Sequence, residues 1–179
     1  DVDVKFVYSE YMDNANLMKL EVVATNTGSE IYMAGDLIED IDNNTIVSLN
    51  GINYHELSHI LYTPRRSSEL GGYVADNKFT RAFNMLEEAR VERMLLAEYP
   101  SVKLSLEGTV LNYGLKDSVG NWGNLFPILT ARRYLDVEVR QIVADEFIKL
   151  YGVDMARIVS RITNEYATLA FPTDITRGK

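Results

Sequence analysis

The chain has 179 residues, with 26 acids against 18 bases for a formal net charge of −8, 46% apolar residues and no cysteine. That mix fits one globular domain with a real core, and the missing thiols exclude a disulfide framework, an iron–sulfur cluster, a thiolate zinc site and a cysteine nucleophile. The acidic balance argues against a nucleic-acid partner, and no apolar run approaches the roughly 20 residues that cross a bilayer, so no membrane partner and a cytoplasmic location are expected.

The charge is uneven. Residues 1–56 hold eleven acids and two bases, residues 57–179 fifteen acids and sixteen bases, so the first third reads as an acidic, solvated surface. The sequence opens at Asp1 and stops at Lys179, ends expected of a piece of a longer protein with further domains. Val2, Val4, Phe6 and Tyr8 alternate with Asp3, Lys5 and Val7, which predicts a half-buried strand. A short helix over Asp13–Met18 follows. Leu20–Thr25, the turn residues Asn26-Thr27-Gly28-Ser29 and then Ile31-Tyr32-Met33 predict a hairpin. Asp36–Asp42 is acidic and carries no clear pattern.

From Asn44 the period becomes helical. Ile46, Leu49, Ile52, Ile60 and Leu61 share helical spacing, Asn43 or Asn44 is the expected cap, and Pro64 is the stop. Residues 64–78, with Arg65-Arg66-Ser67-Ser68 and Gly71-Gly72, read as a loop. A second helix from about Lys78 to Tyr99 is apolar almost all round, the pattern of a buried helix. More helices are expected at about 102–114, 124–135, 137–151 and 155–170. No repeat, low-complexity tract or linker forces two domains. The expectation is one α+β domain over 1–179: mainly β over 1–43, metal-binding helices over 44–99, helical over 100–179.

The two histidines of the chain sit together in His55-Glu56-Leu57-Ser58-His59. On a helix, positions i and i+4 share one face, so both imidazoles can converge on one metal. Glu56 then faces the water of the open coordination position, whose pKa a zinc ion lowers toward about 7, and serves as general base. No nucleophilic side chain is needed, in keeping with the missing cysteine.

A catalytic zinc needs a third protein ligand, and no histidine remains. Tyr62 and Arg65 stand where the extended metzincin pattern requires Gly and His, so an acid must complete the site. Asn84-Met85-Leu86-Glu87-Glu88-Ala89-Arg90-Val91-Glu92-Arg93 supplies several. Carboxylates in so apolar a helix are costly unless paired or bound to metal. Asn84, Glu88 and Glu92 share a face, so Glu88 can bind zinc while Glu92 accepts the N–H of a ligating histidine. Glu87 is the second choice for ligand, Asp76 a weaker one. Pairing of these acids with Arg81, Arg90 and Arg93 is the plain alternative.

HELSHILYT followed by NMLEEARVE resembles the glutamate-zincin metallopeptidases. In particular it is similar to the metallopeptidase-like region that precedes von Willebrand A-type domains in phage and bacterial proteins, where HExxH is followed by Asn-x-x-Glu-Asp-x-Arg-x-Glu. Asn84, Glu87, Glu88, Arg90 and Glu92 match, with Glu88 in place of the Asp. In the thermolysin-like members an acid four residues after the ligand supports a histidine, a spacing that Glu88 and Glu92 fit and that Glu87 and Val91 do not. The resemblance covers about residues 20–99. It implies a zincin layout: a small twisted sheet over the HExxH helix, the glutamate helix beneath, and Ser29–Ala34 as the edge strand beside the cleft.

These readings make the chain a zinc-dependent peptidase acting on a peptide or protein. The alternative is a catalytically silent zincin-like scaffold within a larger assembly. An oxyanion stabiliser cannot be picked from eleven tyrosines and eleven arginines. Arg132-Arg133 reads as a solvated pair.

Overall fold

The computed structural model describes residues 2–7, 24–27, 29–34, 41–65, 67–115 and 120–170. The helix expected at 13–18 and most of the acidic stretch at 36–42 lie outside them. The architecture is α+β and mostly helical, with one small mixed sheet.

Strands β1 (Asp3–Val7), β2 (Ala24–Asn26) and β3 (Glu30–Ala34) form a sheet in the order β1-β3-β2. β2 and β3 make the expected hairpin, closed by the Thr27 N–H donating to Glu30 O at 3.0 Å. β1 runs parallel to β3, Val4 opposite Ile31. This order corrects one expectation: β3 is the middle strand, and β2 is the edge beside the site. Ile31 and Met33, two apart and so on one face, are buried against Ile52 of the next helix. Val4 is exposed, so the alternation in β1 does not give a buried face along its length.

Helix α1 (Asn43–Tyr62) carries the histidines. Its cap is Asp42 rather than Asn43 or Asn44: the Asp42 carboxylate accepts from Thr45 N–H at 2.6 Å, and a negative charge suits a helix N-terminus. Thr63 ends the helix in extended backbone, as a residue before proline prefers. Residues 64–78 are not all loop. Ser68 accepts from Gly71 N–H and starts helix α2 (Glu69–Asp76), a capping signal that overrides Gly71-Gly72. Lys78 then takes the left-handed conformation, φ 59°, and turns the chain into α3 (Thr80–Glu98).

After a short 3₁₀ turn (Pro100–Val102), the helix expected over 102–114 divides into α4 (Lys103–Thr109) and a π-helical turn (Val110–Gly114). Helix α5 (Trp122–Thr130) ends earlier than expected, and α6 (Val137–Tyr151) and α7 (Val153–Ala167) follow. Gly152, at φ 82°, makes the corner between the last two, where a side chain would be strained. The core of these three helices centres on Phe126 and Phe147, stacked 4.1 Å apart. A second cluster, with Tyr62, Val91, Leu95 and Leu106, ties α1 to α3 and α4. No helix among the described residues is long and apolar enough to cross a membrane.

Candidate metal centre

Helix α1 lies between the sheet and α3, and the site forms along that seam. Four residues after His55, His59 returns to the same face, and the two rings meet edge to face with centroids 4.8 Å apart. Opposite them, α3 presents Glu88, whose Oε2 is 3.5 Å from His55 Nε2 and whose Oε1 is 3.7 Å from His59 Nε2. Ligands about 2.0–2.1 Å from a tetrahedral zinc lie roughly 3.4 Å from one another. The donor set and these two separations could hold a metal ion such as zinc. Among the described residues, His55, His59 and Glu88 are the one group of three metal-capable side chains, with ligand atoms all within 4.8 Å.

Both imidazoles are oriented from behind. His55 Nδ1 is 2.7 Å from Glu92 Oε1. An ionised carboxylate only accepts, so Nδ1 carries a proton and Nε2 is the nitrogen turned toward Glu88. His59 Nδ1 is 2.9 Å from Thr63 Oγ1, which leaves its Nε2 on the same side. Glu56 lies on the sheet side of the same cavity. It is buried and accepts from Asn26 Nδ2 of β2 at 2.6 Å. His55, Glu56, His59, Asn84 and Glu88 together line one cavity of about 830 Å³. Asn26, Thr27 and Ser29 form part of its wall, with Thr63, Pro64 and Arg65 beyond the helix end.

The other proposed residues separate clearly. Glu87 does not join the cluster. It is fully buried on another face of α3, where Arg90 Nε and Nη2 donate to it at 2.6 and 2.7 Å and the Tyr166 hydroxyl at 2.8 Å. Asp76 is exposed at the end of α2 and outside the group. Of the arginines expected to pair with these acids, only Arg90 does so; Arg93 donates to the Ala167 carbonyl. Arg132 corrects a further expectation. It is not solvated but 6% exposed, and its guanidinium donates to Glu92 Oε2 at 2.6 Å, Glu92 Oε1 at 2.8 Å and Glu88 Oε2 at 3.0 Å. The Tyr134 hydroxyl adds a bond to Glu92 Oε2 at 2.9 Å.

Sequence reasoning missed Asn26, Thr63, Arg132 and Tyr134. Only Thr63 carries a local signal, standing four residues after His59.

Burial opposes charge on each of these groups, and opposite charges overcome it. Glu88, with Glu92 next, raises His55 to about 9. His55, His59 and Arg132 hold Glu88 well below the usual carboxylate range. Arg132 leads in lowering Glu92 to about 2. Glu88 is thus ionised beside both imidazole Nε2 atoms, with Glu92 ionised behind His55 and Arg132 between the two acids.

No protein-family model, curated protein or solved structure matches the chain. The functional reading therefore stands on this geometry and on the sequence motif.

Proposed function

We propose that the chain is a zinc-dependent peptidase of the glutamate-zincin type, with His55, His59 and Glu88 holding the ion and Glu56 acting as general base. The observation that carries the reading is the convergence of both Nε2 atoms and the Glu88 carboxylate beside an independent carboxylate on one cavity wall. When bound, zinc supplies Lewis-acid chemistry that makes water acidic near neutral pH and polarises a carbonyl.

The chain's own groups do the rest. Asn26 holds one oxygen of Glu56, leaving the other to take a proton from the attacking water and return it to the departing amine. Arg65 and Asn84 bring N–H donors to the cavity wall, where they can meet the negative charge that develops on the carbonyl oxygen. β2 is an edge of the sheet, and an edge offers backbone groups to an extended peptide. The substrate class that fits is therefore a peptide or protein segment bound in extended form.

The test is Glu56→Gln. Glutamine keeps the shape and can still accept from Asn26, so zinc content and melting temperature should stay at wild-type values. Peptide hydrolysis should fall by about 10²–10⁴-fold, the usual loss of a general base. Undiminished cleavage by the purified variant would refute Glu56 as the base. A zinc-loaded wild type that cleaves nothing in a broad peptide library would favour a non-catalytic scaffold.

A further inference from the structure

We propose that Arg132 is the positioning residue of the metal-binding face, one guanidinium fixing Glu88 directly and His55 through Glu92. The inference rests on the metal-binding part of the reading above and assigns a role to the C-terminal half of the chain, which carries no part of the HExxH and glutamate motifs.

Arg132 sits in the turn after α5. Its N–H donates to Leu129 O at 3.1 Å, and its carbonyl accepts from Leu135 N–H at 3.1 Å. Leu129 and Leu135 are both buried, part of the α5–α6–α7 core, so the side chain leaves a rigid base. It reaches α3 and meets two carboxylates one helical turn apart. Nε and Nη2 grip Glu92 as a fork, and Nη2 also reaches Glu88. A planar fork locks a carboxylate in rotation as well as in place, which the point charge of a lysine does not.

The consequences differ for the two acids. Glu92 accepts four bonds: from Arg132 twice, from His55 Nδ1 and from the Tyr134 hydroxyl. It is saturated and serves as an orienter of His55. Glu88 gives only Oε2 to the guanidinium, while Oε1 faces His59. Arg132 therefore decides which carboxylate is spent on structure and which keeps an oxygen for a cation. Its single positive charge is shared between Glu92 and Glu88, so an ion meets the two carboxylates with one net negative charge rather than two.

The test uses the full chain and reads metal rather than hydrolysis: zinc affinity by chelator competition, and the visible spectrum of the cobalt(II)-loaded protein. Arg132→Lys keeps the charge and loses the fork. It should bind zinc about 10–100-fold more weakly, the usual cost of disturbing an outer partner, and its cobalt spectrum should differ from wild type. The double variant Arg132→Met/Glu92→Gln removes both buried charges together, so its folding does not hang on an unpaired ion. It should bind zinc more weakly than wild type, because Glu88 and His55 have both lost the groups that orient them. Wild-type affinity and spectrum in Arg132→Lys, even with a lower melting temperature, would overturn the proposal, as would wild-type zinc affinity in the double variant. Zinc-loaded wild type without peptidase activity would sink catalysis and leave this inference standing. Wild type that takes up no metal would overturn both.

Discussion

Glu87 and Glu88 are neighbours in sequence with opposite expected phenotypes, and exchanging each for glutamine tests the whole reading of α3. Glu87 and Arg90 have side chains 1% and 0% exposed. Removing one partner of such a pair strands a buried charge, at a cost of about 3–5 kcal/mol. For a chain of this size each kcal/mol shifts the melting temperature by about 2–4 °C, so Glu87→Gln should melt roughly 6–20 °C lower. Glu88 has a side chain 23% exposed and one bond to Arg132 at 3.0 Å, which a glutamine carbonyl can still accept. Because Glu88 is the more exposed acid and keeps that bond as a glutamine, its loss should lower the melting temperature less than the loss of Glu87. Zinc affinity should instead fall by more than the about 10–100-fold that an outer partner is worth. Thermal melts are compared after chelation, because bound metal stabilises only the folded state, and zinc content is read by elemental analysis. Loss of metal from Glu87→Gln at unchanged stability would refute the assignment.

Two further outcomes follow from local geometry. A β-carbon on Gly51 would lie 2.0 Å from Ser105 O and 2.1 Å from Thr109 Oγ1, so Gly51→Ala should force α1 and α4 apart and cost at least the about 1–3 kcal/mol of overpacking; an unchanged denaturation midpoint would contradict that close approach. Asn26→Ala removes a bond at 2.6 Å to a buried carboxylate, worth about 1.5–3 kcal/mol for a charged acceptor; kcat should fall on the order of 10–100-fold with zinc content intact, and unchanged kcat would free Glu56 from any need of the sheet.

What the sequence disclosed depended on range. His55, Glu56 and His59 were legible because one helical turn brings them together. The Glu88–Glu92 pairing followed from the same period. The hairpin was legible from its turn residues, whereas the strand order was not, because β1 joins β3 across more than twenty intervening residues. Helix α2 was hidden by Gly71-Gly72, which outweighed the Ser68 cap. Arg132 was the hardest to see. Its partner Glu92 lies forty positions away, and locally Arg132-Arg133 is an ordinary charged pair. Arg133 behaves as one, exposed and bonded to Asn164.

The division of labour along α3 comes down to which acceptors are already satisfied. About 100° of helical rotation separates Glu87 from Glu88. That step turns one toward Arg90 and Tyr166 and the other toward α1. Both oxygens of Glu87 are taken, Oε1 by Arg90 and Tyr166 and Oε2 by Arg90, so it meets its desolvation cost entirely with fixed partners and has nothing left to offer an ion. Glu92 is closed in the same way by Arg132, Tyr134 and His55. Glu88 alone of the three keeps an oxygen outside a guanidinium's grip: Oε2 lies between Arg132 and His55, and Oε1 faces His59. Buried acids are usually structural because their partners close around them. The acid whose partners stop short, beside two imidazoles turned the same way, is the one left able to bind a metal.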